Sequence, residues 1–192
     1  MKKTIPFSIL LSGLMLTMFF GCKKTSTPAV DPCLNTTITI TNSVTATVPC
    51  ESTPTGSITI TASGSTGFTY NKNGGAYQSS NIFTGLAAGV YTMGVKDVNG
   101  CTNTQSVSVG NAAAGPNFSN VKNIVSSKCG NCHLNGGSDG GVNFDADCSI
   151  VAKWDRINMR CVTQGNMPPS GLTTAQKGQI TAWVNAGHKF SD

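Results

Sequence analysis

Two cysteines and a histidine stand within five residues, Cys129-Gly130-Asn131-Cys132-His133. Phe118, Val121, Ile124 and Val125 precede them at helical spacing, so the cluster ends a predicted amphipathic helix. A helix ending in Cys-x-x-Cys-His presents two thiols one turn apart and an imidazole beside them. The thiols can add to the two vinyl groups of a haem while the imidazole reaches the iron, and this spacing is the attachment signature of c-type haem. The expectation is one covalently attached haem c per chain, on Cys129, Cys132 and His133.

Three other chemistries use similar residues. A thioredoxin-like redox pair needs a βαβ context, which is not visible. A zinc site would recruit Cys148 and Cys161, but these lie farther apart than a zinc ribbon's second pair. A simple disulfide leaves His133 without a role.

A six-coordinate iron needs a second axial ligand, and thioether sulfur is common in electron-transfer haem proteins. Met167 precedes Pro168 and Pro169. Proline disfavours helix for itself and for the residue before it, so this segment is extended and can hold the thioether over a haem face. Met159 falls in a helical stretch and reads as a core gap-filler. His133 and Met167 are therefore the expected metal ligands. Both axial positions are then taken, which predicts an electron carrier rather than an enzyme, with no catalytic residue.

Several elements must position this site. Ile150, Val151, Trp154 and Ile157 repeat the helical pattern, and Ile180, Trp183 and Val184 form the stripe of a last helix. Thr173 with Gln176 makes a capping box that starts that helix, and Gly187 can stop it. Trp154, Trp183 and Ile180 are expected to pack on the haem. An indole N–H, Arg156 or Arg160 could meet its propionates, and the arginines read equally well as solvated. Asp145 and Asp147 raise calcium, but their spacing does not fit an EF-hand loop. A flexible loop with Asp147 as helix cap is the simpler reading.

The N-terminus reads as an export signal: Lys2 and Lys3, an apolar run, then Gly21-Cys22. It resembles a bacterial lipoprotein signal, which implies cleavage before Cys22 and acylation there. Removing Lys2 and Lys3 leaves 11 basic against 8 acidic residues. No basic run supports nucleic-acid binding. The apolar run is just short of the roughly 18 residues of a spanning helix. The expected location is the bacterial cell envelope, lipid-anchored, periplasmic or surface-exposed.

From Cys33 the texture alternates β-branched and polar residues, with turn formers such as Asn73-Gly74-Gly75 and Asn99-Gly100 about every ten residues. This predicts an antiparallel sandwich. Residues 50–109 resemble the SprB-type, Ig-like repeat of bacterial surface proteins in CESTPTGSITITASG, GLAAGVYTMGVKDVNGC and the closing SVSV. The resemblance implies a spacer or adhesion module. Residues 116–192 resemble small class I c-type cytochromes in CGNCH, in RINMRCVTQGNMPP and in the terminal helix. That resemblance implies a helical fold around haem, His/Met ligation and one-electron transfer.

The expected fold class is thus multidomain, an all-β Ig-like sandwich followed by an all-α cytochrome c domain. Residues 1–21 are the signal, 22–45 a tether and first strand, 46–110 the Ig-like repeat, 111–117 a linker and 118–192 the cytochrome domain. Cys148 and Cys161 flank one helical stretch, and pairing them would contribute roughly 3 kcal/mol through loop entropy. Cys50 and Cys101 open and close the repeat and are paired on that ground. Cys33 is left over, or takes Cys50 instead. The expected activity is envelope-anchored one-electron transfer to an unidentified redox partner protein. The rivals are a surface adhesion lipoprotein with an accessory haem domain, and a haem peroxidase or sensor.

Overall fold

Thr39–Thr45 forms β1, Gly56–Ser63 β2, Thr69–Lys72 β3, Ile82–Leu86 β4, Gly89–Lys96 β5 and Thr102–Val109 β6. Their β-branched residues favour the pleated backbone. In β2 the alternation is plain: Ile58 and Ile60 are fully buried while their neighbours are less so. The strands make two three-stranded sheets, ordered β1-β2-β4 and β3-β5-β6, with every strand pair antiparallel. Ile58, Ile60, Leu86, Met93, Val95, Val107 and Val109 fill the core between them.

The helical layer follows: α1 at Pro116–Lys128, α2 at Gly130–His133, α3 at Asp147–Ala152, α4 at Trp154–Ile157, a π-helical segment at Asn158–Thr163 and α5 at Thr174–Ala186. Pro116 starts α1, where its missing N–H costs nothing. The capping box of Thr173 and Gln176 starts α5 as the sequence suggests, and Gly187, at φ 121°, ends it. Asp147 does not cap α3. It lies in the first turn behind Ala146 and pairs with Lys122 at 2.8 Å. Phe118, Val121, Ile150, Ile157, Ile180 and Trp183 form the core of this layer.

This computed structural model describes residues 30–192, and Pro32–Asp192 form one compact unit. The signal segment, Cys22 and most of the tether lie outside the described residues. The expected fold class is corrected accordingly. The molecule is not an Ig-like sandwich followed by an all-α domain; sheets and helices share one body. Val48, Cys50 and Ala114 pack on the helical core. Thr47 bridges Asn111, and Gly115 N–H donates to the Phe190 carbonyl at 2.9 Å, so residues 111–117 are pinned at both ends. A Cβ at Gly115 would collide with the backbone of Ser191 and Asp192, which requires glycine there.

One disulfide ties the two layers together, and both correct the expected pairs. Cys33 joins Cys101, and Cys50 joins Cys148. The second bond runs from the β layer to the start of α3. Cys50 and Cys101 are not partners, nor are Cys148 and Cys161, and Cys161 is a free, buried thiol. Two disulfides place the chain in an oxidising, extracytoplasmic compartment. Among the described residues, no helix is long and apolar enough to cross a membrane.

Candidate functional site

The last turn of α1 delivers Cys129, whose N–H donates to the Val125 carbonyl at 2.9 Å. One further turn, α2, carries Cys132 and His133, and His133 N–H returns to the Cys129 carbonyl at 3.0 Å. The spacing seen in the sequence is thus held by helical hydrogen bonds. The chain then leaves the helix at Leu134, and Asn135 and Gly136 take positive φ.

His133 Nδ1 lies 2.8 Å from the carbonyl oxygen of Val142. A carbonyl only accepts, so Nδ1 carries the proton, and in the neutral ring the lone pair is on Nε2. The Phe144 N–H donates to the His133 carbonyl at 2.7 Å, and its ring meets the imidazole edge-on at 5.6 Å between centroids. Val142 and Phe144 are both buried.

A cavity of about 500 Å³ opens in front of these residues. Cys129, Cys132 and His133 line it, and so does Met167 with Pro168 and Pro169. Val121, Ile124, Val125, Ile157 and Ile180 give it an apolar wall. Lys128, Arg156 and Arg160 line it as well, with Asp139 the one acidic member. Met167 is held by backbone: its N–H and that of Asn166 both donate to the Arg160 carbonyl, at 3.2 and 3.1 Å. The Met167–Pro168 peptide is cis.

Three thiols line the cavity: Cys129, Cys132 and Cys161. Burial, then neighbouring Cys161 and Cys132, push the Cys129 thiol up to about 11. Burial also raises Cys161. Cys132 is exposed, and the adjacent Asp139 carboxylate is the first cause of its upward shift. All three are neutral thiols near neutral pH.

The structure therefore brings Cys129, Cys132, His133 and Met167 to one cavity. Cys148 is spent on Cys50, which removes it from any zinc set, and no group of three or more His, Cys, Asp or Glu gathers as a metal site among the described residues. Met159 is half exposed in the π-helical segment rather than filling the core. The Trp183 indole N–H is occupied by the Lys189 carbonyl at 2.8 Å. Trp154 stacks on His188 at 4.1 Å between centroids. Arg156 donates to the Gly140 carbonyl at 2.9 Å and Arg160 to Gln164 at 3.2 Å. Asp145 is engaged by backbone N–H groups of Asn135 and Gly136. Sequence reasoning passed over Val142, because a carbonyl acceptor leaves no mark in residue type. Cys161 as a cavity thiol is equally hidden in the sequence, where its place in the chain suggests Cys148 as a partner.

No protein-family model, curated protein or solved structure matches this chain. The resemblances at residues 50–109 and 116–192 are corrected on that finding together with the fold. No family supports a class I cytochrome, and among the described residues there is no separate helical cytochrome domain.

Proposed function

We propose that the chain is an extracytoplasmic one-electron carrier whose cavity holds a single haem attached through Cys129 and Cys132. One observation carries this reading: an apolar cavity of about 500 Å³ has a Cys-x-x-Cys-His turn and a thioether in its walls. The volume lies in the range of cofactor pockets. The donor set fits as well. Two unbridged thiols are present to add S–H across vinyl groups, and because Val142 holds Nδ1–H, Nε2 of the neutral ring is the atom that would bind iron. The thioether of Met167 would be the second iron donor. Haem supplies reversible one-electron chemistry when bound.

The chain's own residues do the rest. His133 and Met167 are the residues that would hold the iron, and with both donors bound no site would be left for oxygen or peroxide. The apolar wall would limit the access of water to the iron. Lys128, Arg156 and Arg160 give the cavity a net positive lining, which suits carboxylate groups of the cofactor and an acidic face on a redox partner protein. Acylation of Cys22 would fix the carrier to the membrane. A single myristoyl-sized chain binds only marginally, so stable anchoring takes more than one acyl chain.

The reading is tested on the mature protein produced in a host able to export and attach haem. A reduced-minus-oxidised spectrum should show a covalently bound, low-spin haem that survives acid extraction. A protein without such haem overturns the proposal. Cys22→Ser should release the protein from membranes or block processing, and unchanged fractionation would remove the lipid anchor.

A further inference from the structure

The loop between His133 and α3 alternates like a strand. Val142 and Phe144 turn inward, buried, and touch His133 by the contacts described above. Asn143 and Asp145 are less buried and fall on the opposite side of the same extended stretch. There they bind the start of the loop. Asp145 Oδ1 accepts from Asn135 N–H at 2.6 Å, and Oδ2 accepts from Gly136 N–H at 2.9 Å. Asn143 Nδ2 donates to Asp145 Oδ2 at 3.0 Å and to the Gly137 carbonyl at 2.9 Å, and Asn143 Oδ1 accepts from Asp145 N–H at 2.9 Å.

We infer that Asp145 is a positioning residue for His133. Its carboxylate ties the outgoing arm of the loop, residues 135–136, to the returning arm, residues 143–145. That closure holds the Val142 carbonyl against Nδ1. The backbone around Asn135 and Gly136, with positive φ at both, turns two N–H groups toward one anion, and hydrogen bonds to an ionised acceptor are about twice as strong as neutral ones. The consequence for the imidazole is a fixed tautomer and ring orientation. A hydrogen bond from Nδ1–H also makes Nε2 the stronger electron donor. This inference rests on the haem reading only for its redox consequence; the tautomer stands without it.

The experiment compares the parent with Asp145→Ala, Asp145→Asn and, as a surface-carboxylate control, Asp155→Ala. In haem-free protein, nitrogen NMR of His133 should show proton on Nδ1 alone in the parent and a tautomer mixture in Asp145→Ala. Amide exchange at Asn135 and Gly136 should speed by about tenfold or more, from the loss of a charge-assisted acceptor. Asp145→Asn keeps one acceptor oxygen and should fall between, which serves also if the alanine variant does not fold. In haem-loaded protein, the midpoint potential should rise in the same order, because a weaker nitrogen donor favours the oxidised iron less. Asp155→Ala should match the parent throughout. A parent without haem, whose tautomer is nonetheless released by Asp145→Ala, would overturn the proposed function and leave this inference standing. Unchanged tautomer and exchange in both Asp145 variants would overturn the inference.

Discussion

Cys50 and Cys148 are covalently joined, so a residue that follows the first strand is bonded to the first turn of α3, 98 positions later. Its neighbour Glu51 reaches across the same junction to Lys189 at 3.6 Å. Closing so long a loop removes unfolded-state entropy worth roughly 4 to 5 kcal/mol in the chain-entropy treatment. Cys148→Ser should therefore lower the urea midpoint strongly. Residues 116–192 expressed alone should be less stable than the same residues in the whole chain. Equal thermal midpoints for fragment and whole would refute that coupling.

Met167 is the proposed second axial donor. Met167→Ala should open that position, so carbon monoxide should bind the reduced variant readily and the parent hardly at all. The potential should fall, since thioether ligation favours ferrous iron. His133→Ala should instead prevent a mature haem protein from accumulating. An unchanged spectrum in Met167→Ala would show that another residue supplies the second ligand.

The raised Cys129 thiol has a chemical signature in the haem-free protein. With a value of about 11, only about one molecule in a thousand is thiolate at pH 8, and the thiolate is the nucleophile. Iodoacetamide should modify exposed Cys132 first, as read by peptide mass spectrometry. The Cys129 rate should climb tenfold per pH unit well past pH 9. A Cys129 rate that levels off by pH 8 would contradict its burial.

Two carboxylates predict the acid limb of stability. Asp97 accepts from Ser65 Oγ at 2.7 Å and from the N–H groups of Asn99 and Cys101, at 2.9 and 2.8 Å. The Ser65 hydroxyl is the leading cause that holds it below the usual range. At Asp145 the Asn143 amide plays that part. Depressed folded values mean that both stabilise the fold above the ordinary aspartate range, near pH 4, and that this is lost as pH falls further. Asp97→Asn should be less stable at pH 7 and should show a shallower acid decline. Parallel decline in parent and variant would count against it.

The α5 capping box allows a local test. Thr173 Oγ1 accepts from Gln176 N–H at 3.2 Å, and Gln176 Oε1 accepts from Thr173 N–H at 3.0 Å. Thr173→Ala should cost about 1 kcal/mol by denaturant titration. A neutral effect would show the start of α5 to be fixed by packing alone.

Local signals were legible in the sequence, and long-range ones were not. The capping box and the faces of α1 and α5 follow from spacing, whereas a meeting of CGNCH with Met167 is expected only if both hold one haem. The alternation that marks β2 is equally local. Disulfide partners are not local. Cys148 lies 13 residues from Cys161 but bonds to Cys50, because tertiary packing sets that distance. The same bond makes one body of what composition divides at residue 111. The Val142 carbonyl could not be read because every residue carries one.

The two disulfides interleave along the chain. The first spans 33 to 101 and the second 50 to 148, so each loop contains one end of the other. A single backbone cut anywhere between residues 33 and 148 therefore leaves the pieces covalently joined. Proteolytic nicking outside the cytoplasm would scar this molecule without dividing it there. Interleaving also sets a condition on synthesis. If these four cysteines paired only among themselves in order of emergence, Cys33 would take Cys50 and Cys101 would take Cys148, closing two separate loops. Native pairing requires the β layer and α3 to meet before oxidation is final, or a thiol exchange that corrects the early bonds.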